Sequence, residues 1–175
     1  MAFTLVPDFR FSKFDDITPE FLVSIGVRGV LLDIDNTLEP YENSLPGKRV
    51  VAWLSSLREH GIQAAFVSNN DRERVELFNE KLSLPAYFKA KKPFKKNLLL
   101  ALSDIDCKPA EAVFIGDQIL TDVWAARNAK MRAILLPPIK DKQDFFTKFK
   151  RRLEKPILRK YERKKRKEEN KNEQA

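Results

Sequence analysis

Residues 27–37 read Val-Arg-Gly-Val-Leu-Leu-Asp-Ile-Asp-Asn-Thr, and this stretch decides the fold. From Val27 to Ile34 the only charges are Arg28 and Asp33. A short apolar run ending in turn-forming polar residues reads as a strand buried on both faces. Asp33 and Asp35 stand two apart at its end, so on an extended backbone both side chains leave from the same face. Two carboxylates held that close repel, and a cation or a shared proton must relieve them.

The same pattern recurs outward from this strand. Thr18-Pro19-Glu20 is a helix start, with Pro at the first helical position. Gly26 closes that helix. Val50, Val51, Leu54 and Leu57 give helical spacing over 47–60, which Gly61 ends. Ile62 to Val67 is a second buried strand, and Asn70 can cap a helix over about 71–82. A short strand follows at 87–90, then a helix from Phe94 to about Ile105. Residues 112–115, 119–129 and 132–136 continue as strand, helix and strand. Strands alternating with helices predict an α/β fold, with a parallel sheet of about five strands covered on both faces. Ligands of such sheets bind at the carboxyl ends of the strands, near the topological switch point.

Four polar features fall just after these strands. They are Asp33 to Thr37, Ser68-Asn69-Asn70, Lys91-Lys92-Pro93, and Gly116-Asp117 with Asp122 five residues on. Any one of them alone reads as a turn, a cap or a surface charge. Jointly they converge on one sheet edge. Asp117 and Asp122 can join the Asp33–Asp35 cluster, and hard oxygen donors without His or Cys favour Mg²⁺. A lysine, the Ser68 hydroxyl and the free amides of Asn69 and Asn70 at a helix start complement a phosphate. Carboxylates, a metal, a lysine and a hydroxyl together describe phosphoryl transfer.

These motifs resemble the haloacid dehalogenase superfamily of aspartate-nucleophile phosphatases, with its Asp-x-Asp-x-Thr, Ser/Thr, Lys and Gly-Asp-x(3,4)-Asp elements in order. Val6-Pro7-Asp8, Asp16 to Glu20, Val67 to Asn70 and Gly116-Asp117-Gln118-x-x-Thr121-Asp122 look like the YqeG family of subfamily IIIA. That family is similar to mitochondrial and chloroplast phosphatidylglycerophosphate phosphatases. The resemblance implies a Rossmannoid three-layer sandwich without a cap. It also implies Asp33 as nucleophile and Asp35 as general acid and base. Mg²⁺ would lie between Asp33, the Asp35 carbonyl and Asp117. Ser68, the Asn69 amide and Lys92 would hold the phosphoryl group, and Asp122 would orient Lys92 or a metal-bound water. Lys91, next door, competes for the lysine's role.

Composition narrows the partners. One cysteine, Cys107, excludes an internal disulfide framework and a cysteine zinc site. No apolar run exceeds five residues, so no transmembrane segment is expected, nor a signal peptide at the start. These features predict a cytoplasmic protein, peripheral on the inner membrane face if its substrate is a lipid. Of the net charge of +8, residues 1–147 contribute nothing, with 20 basic and 20 acidic residues. Residues 148–175 carry 13 basic against 5 acidic. The expected division is therefore a phosphatase domain over 1–147 and a basic helical tail over 148–175, disordered from about Arg159.

The gaps between motifs bear on the substrate. Asp33 to Ser68 and Ser68 to Lys92 leave no room for an inserted cap, so the loop from Leu38 to Pro46 alone should cover the site. An open site favours a phosphate on something large. Phe145, Phe146, Phe149, Leu153 and Ile157 stand at helical spacing among Lys148, Lys150, Arg151 and Arg152, a pattern suited to an anionic membrane or to packing on the body. Pro156 should kink or end that helix near 152–155. Three readings follow: phosphatidylglycerophosphate hydrolysis at a membrane, the same chemistry on a soluble or macromolecular phosphate, or an RNA- or ribosome-binding protein using Arg163 to Lys167.

Overall fold

The computed structural model describes residues 4–140 and 145–172. Its six strands are β1 (Phe9–Arg10), β2 (Gly29–Leu32), β3 (Gln63–Val67), β4 (Ala86–Tyr87), β5 (Ala112–Gly116) and β6 (Arg132–Leu135). They form one sheet in the order β1-β6-β5-β2-β3-β4, every pair parallel. The helices are α1 (Pro19–Ser24), α2 (Lys48–Glu59), α3 (Arg72–Asn79), α4 (Lys96–Asp104), α5 (Trp124–Asn128) and α6 (Phe145–Asn172).

β2 lies in the middle and is buried throughout. Its side chains alternate between two cores, as a pleated strand requires. Val30 and Leu32 face the core that holds Leu22 of α1, Trp53 and Leu57 of α2, and Val75 and Phe78 of α3. Leu31 faces the core of α4 and α5, with Leu98, Ala101, Ala125 and Ala126. Burial on both sides explains why β2 reads as a continuous apolar run. From β2 the chain winds outward to β3 and β4, then returns to β5 on the other flank. The switch point therefore lies between the carboxyl ends of β2 and β5, where Asp33 and Asp117 stand.

Local signals act as the sequence predicts at several boundaries. Thr18 Oγ1 accepts from Phe21 N (3.2 Å) and caps α1. Gly61 takes φ +73° and lets the chain leave α2 and enter β3.

Five expectations need amendment. The short strand expected over 87–90 is β4, Ala86–Tyr87, and ends at Tyr87. The sheet has a sixth strand, β1, at its edge beside β6. Two residues are too short to carry a periodic signal. Asp71, not Asn70, caps α3, accepting from Arg74 N at 3.0 Å. The helix expected over 119–129 opens with a π-helical turn, Ile119–Val123, before α5. There Asp122 Oδ2 accepts from Gln118 N (3.0 Å), and the wider turn makes room for its carboxylate. Finally, α6 passes through Pro156 to Asn172 with no break near 152–155 and continues beyond Arg159. Pro156 itself is exposed, and the helix runs on through it.

α6 also packs on the body. Ile157 and Leu158 join the core of α4 and α5, and Arg10 of β1 lies over the Tyr161 ring (5.6 Å). The side chains of Phe145 to Leu153, which carry the expected apolar stripe and its flanking cations, lie outside the described residues.

Candidate active site

The carboxyl ends of β2, β3 and β5 open into one cleft of about 710 Å³. It is lined by Asp33, Asp35, Ser68, Asn69, Lys92, Asp117 and Asp122. All seven side chains singled out in the sequence thus meet in one place. The choice between the two lysines is resolved by burial: Lys92 is 6% exposed and Lys91 points outward.

Lys92 is the hub. Its Nζ lies 2.8 Å from Asp33 Oδ1 and 2.8 Å from Asp122 Oδ1, and 5.1 Å above the Phe114 ring. Its backbone is fixed by the Asn69 side chain: Lys92 N donates to Asn69 Oδ1 (2.7 Å), and Asn69 Nδ2 donates to Lys92 O (3.2 Å). Asn128 Nδ2 holds the next carbonyl, that of Pro93. Burial alone would lower the lysine's pKa, but the Asp122 and Asp33 carboxylates outweigh it and hold the ammonium protonated.

Asp33, Asp117 and Asp122 each present a carboxylate oxygen within 4.8 Å of the other two. Burial pushes Asp33 up to about 6, against the pull of Lys92 and with repulsion from Asp122 and Asp35. Asp117 is raised well above the usual carboxylate range by burial and by repulsion from Asp122 and Asp33. One lysine does not neutralise three crowded carboxylates. A divalent cation would, and oxygen donors without His or Cys suit a hard metal. Asp122 spends one oxygen on Lys92 and the other on Gln118 N. Asp33 and Asp117 are therefore the freer donors. Thr37 Oγ1 makes a long contact to Asp117 Oδ1 (3.5 Å).

Gly116 makes this packing possible. A Cβ there would collide with the Asp122 carboxylate. The residue before Asp117 must be glycine for Asp122 to reach Lys92.

The Asp35 carboxylate stands apart from the cluster of Asp33, Asp117 and Asp122. Its Oδ2 accepts from Asn70 Nδ2 (3.0 Å), and its Oδ1 accepts from Arg74 Nε (3.0 Å) and Nη2 (2.9 Å). Arg74 Nη1 also donates to Ser44 O (2.9 Å), tying the loop over 38–46 to α3. Asn36 follows in the left-handed region (φ 62°), where Asn is among the tolerated residues. Its N–H donates to Glu39 O (2.7 Å), closing the turn that aims Asp35. Ser68 is buried, and its Oγ accepts from Asn70 N (3.1 Å).

Arg74 escapes the sequence reading. It looks like one of several charges on an amphipathic helix, and its partner is 39 residues away. The one available signal is its position four residues after Asn70, a single helical turn. The contribution of α6 is also unforeseen. No domain is inserted between the motifs, yet Glu154, Lys155 and Leu158 line the cleft alongside the 38–46 loop residue Tyr41. A smaller cavity near Cys107, about 360 Å³, is lined by Arg28, Ser103 and Glu111 and holds none of the motif residues.

Comparisons with known proteins agree with this geometry. Residues 33–136 match the haloacid dehalogenase-like hydrolase family. The chain is 37% identical over 153 residues to the probable phosphatase YqeG of Bacillus subtilis, covering 87% of this chain and 89% of that one. It is 26% identical over 108 residues to a glyceraldehyde 3-phosphate phosphatase of Pyrococcus furiosus, covering 57% of this chain and 44% of the relative. Among solved structures, an uncharacterized protein of Listeria monocytogenes superposes with a TM-score of 0.54 at 18% identity, over 67% of this chain and 85% of that one. CbbY of Rhodobacter sphaeroides gives 0.54 at 15% identity, over 69% and 90%. These two likenesses show the fold alone. With 37% identity to YqeG over most of both chains and a family match over more than half its length, the chain belongs to the haloacid dehalogenase-like hydrolase family, among its phosphatases.

Proposed function

We propose that the protein is a Mg²⁺-dependent phosphomonoesterase that forms an aspartyl-phosphate on Asp33. The observation that carries this reading is the buried triangle of Asp33, Lys92 and Asp122 beside Asp117. Asp33 Oδ attacks phosphorus, the ester P–O bond breaks, and Asp35 delivers a proton to the leaving oxygen. Asp35 then takes a proton from water as that water attacks the aspartyl-phosphate. Lys92 and the Ser68 hydroxyl, with the Asn69 amide, hold the phosphoryl oxygens in a preorganised cradle. Asp33, Asp117 and the Asp35 carbonyl would hold Mg²⁺, which when bound offsets charge on the transferring group.

The substrate we propose is phosphatidylglycerophosphate, giving phosphatidylglycerol. Supporting this are the resemblance of the motifs to the lipid phosphatases, the absence of an inserted cap, and a basic helix at the cleft. No helix among the described residues is long and apolar enough to cross a membrane, so the enzyme would meet the lipid at the surface. The test is phosphate release from phosphatidylglycerophosphate in mixed micelles, with Mg²⁺ or EDTA, for wild type and Asp33→Asn. Release that needs both Mg²⁺ and Asp33 supports the proposal. Cleavage of an aryl phosphate alone keeps the chemistry and removes the lipid. RNA binding by α6 without any hydrolysis would favour a scaffold role instead.

A further inference from the structure

The cleft is larger than a phosphoryl group needs. A volume near 710 Å³ falls within the ~300–1,000 Å³ of sites that enclose a whole small molecule. Its two ends differ in charge. The inner end holds Asp33, Asp35, Asp117 and Asp122 with Lys92. The outer end brings Arg10 from β1, Lys140 from the segment after β6 and Lys155 from α6, around a wall of Pro137, Pro138 and Leu158. Among the described residues, Glu154 is the one acidic residue lining that end. One of its oxygens, Oε1, accepts from Ile119 N at 3.0 Å.

The three cations come from three separate elements, and two of these, α6 and the Lys140 segment, are tied to the motif loops. The Glu154–Ile119 bond fixes α6 against the turn that carries Asp122. Ile139 N donates to Asn36 O (3.0 Å), and Leu136 N to Gly116 O (2.9 Å), joining the Lys140 segment to both acidic loops. Arg10 is steadied by Tyr161 and by a long contact to Glu162 (3.7 Å). Lys140 meets Glu42 at 3.5 Å, with both side chains exposed. Such half-exposed pairs are weak and yield readily to a better anion. Lys155 makes no ion pair among the described residues.

We propose that this outer end is a subsite for a second phosphate group on the substrate, with Lys155 as its principal ligand and Arg10 and Lys140 flanking it. The proposal rests on the phosphatase reading and deepens it. The substrate would carry its scissile monoester at the acidic end and a second phosphate, as monoester or diester, at the basic end. A short neutral spacer would lie along the proline wall. The second phosphate could belong to a lipid headgroup or to a soluble metabolite, and the group recognised is the same.

The test uses two pairs, each of a singly and a doubly phosphorylated ester: glycerol 3-phosphate against glycerol 1,3-bisphosphate, and phosphatidic acid against phosphatidylglycerophosphate, which adds a glycerophosphate, in the same micelles. In at least one pair, Lys155→Ala is expected to lower kcat/KM for the doubly phosphorylated member about tenfold, through KM. The singly phosphorylated member should stay within about twofold, and Lys155→Arg should retain the preference. An effect confined to the lipid pair assigns the group to a headgroup, and one confined to the soluble pair assigns it to a metabolite. An equal fall on both members of each pair, or no fall on any, overturns the proposal. Calorimetric binding of glycerol 1,3-bisphosphate and of phosphatidylglycerophosphate micelles to Asp33→Asn, with and without Lys155→Ala, reads the subsite without turnover. If wild type cleaves none of the four esters, the phosphatase reading falls while this Kd comparison still decides the subsite: a weakening of about tenfold for either ligand upholds it, and unchanged values for both reject it.

Discussion

Lys92 Nζ and Asp33 Oδ1 lie 2.8 Å apart, with both side chains buried. This pair is the only full charge compensation that Asp33 receives among the described residues. Removing the lysine should leave three carboxylates facing one another. Lys92→Met is therefore expected to destabilise the metal-free protein by about 3–5 kcal/mol, the usual cost of an uncompensated buried charge. It should also lower kcat by about 10²–10³. Chemical denaturation and initial rates check the two parts.

Asp33→Asn should act in opposite directions on stability and turnover. An amide is no nucleophile, so phosphate release should fall to background. Yet burial and the neighbouring carboxylates already disfavour the ionised form, with Asp33 pushed up to about 6. A neutral side chain relieves that, as trade-offs at active sites lead one to expect. The metal-free Tm of Asp33→Asn should equal or exceed that of wild type. A clear fall in Tm would mean that Asp33 is there for structure.

The raised carboxylates give stability a definite pH sign. A folded-state pKa above the unfolded value means that the native state binds more protons between the two, so stability falls as pH rises. For Asp33, moving from 3.8 to about 6, the full loss is about 3 kcal/mol, of which about 1 falls between pH 5 and 7.5. Asp117 is shifted in the same direction and adds to it. With EDTA present, Tm should be higher at pH 5 than at pH 7.5. Added Mg²⁺ should raise Tm more at pH 7.5, where the ligands are ionised. A Tm that rises with pH in EDTA would contradict the arrangement.

Arg74 contacts Asp35 through two nitrogens and makes no hydrogen bond or ion pair to Asp33, Asp117 or Asp122. Its loss should therefore weaken proton delivery more than phosphoryl binding. Arg74→Ala is expected to slow hydrolysis of alkyl phosphates by about 10²-fold, because a poor leaving group needs a well-placed acid. With p-nitrophenyl phosphate, whose leaving group needs little protonation, the effect should be several-fold smaller. Equal losses on both would show that Arg74 holds the loop over 38–46 and does not position Asp35.

Gly116→Ala places a methyl group against the Asp122 carboxylate. Asp122 must then leave Lys92, Gln118 N or both. A cost of about 1–3 kcal/mol is expected, as for overpacking elsewhere, together with a drop in kcat. Equilibrium unfolding and steady-state rates measure both.

Much of this architecture is legible in the chain. β2 announces itself because burial on both faces leaves an uncharged run, Gly29–Leu32, between Arg28 and Asp33. The four motifs are readable because each must follow a strand, and the parallel sheet then brings them together. What the sequence hides are contacts whose partners are far apart. Arg74 meets Asp35 only after α3 docks, and locally only its place one helical turn after Asn70 sets it apart from Arg72. The two residues of β1 carry no pattern, yet their pairing with β6 puts Arg10 at the cleft. α6 reads as a basic helix suited to an anionic membrane or to packing on the body, and the structure docks it through Glu154, Ile157 and Leu158.

The central claim is that Asp33 is the phosphoryl acceptor. The direct measurement is peptide mass spectrometry of enzyme mixed in excess with a phosphate ester and Mg²⁺, then quenched in acid within a single turnover. One phosphoryl group should appear on the peptide containing Asp33, and none in Asp33→Asn. Phosphate release with no modified Asp33 peptide, together with continued turnover by Asp33→Asn, would contradict the account.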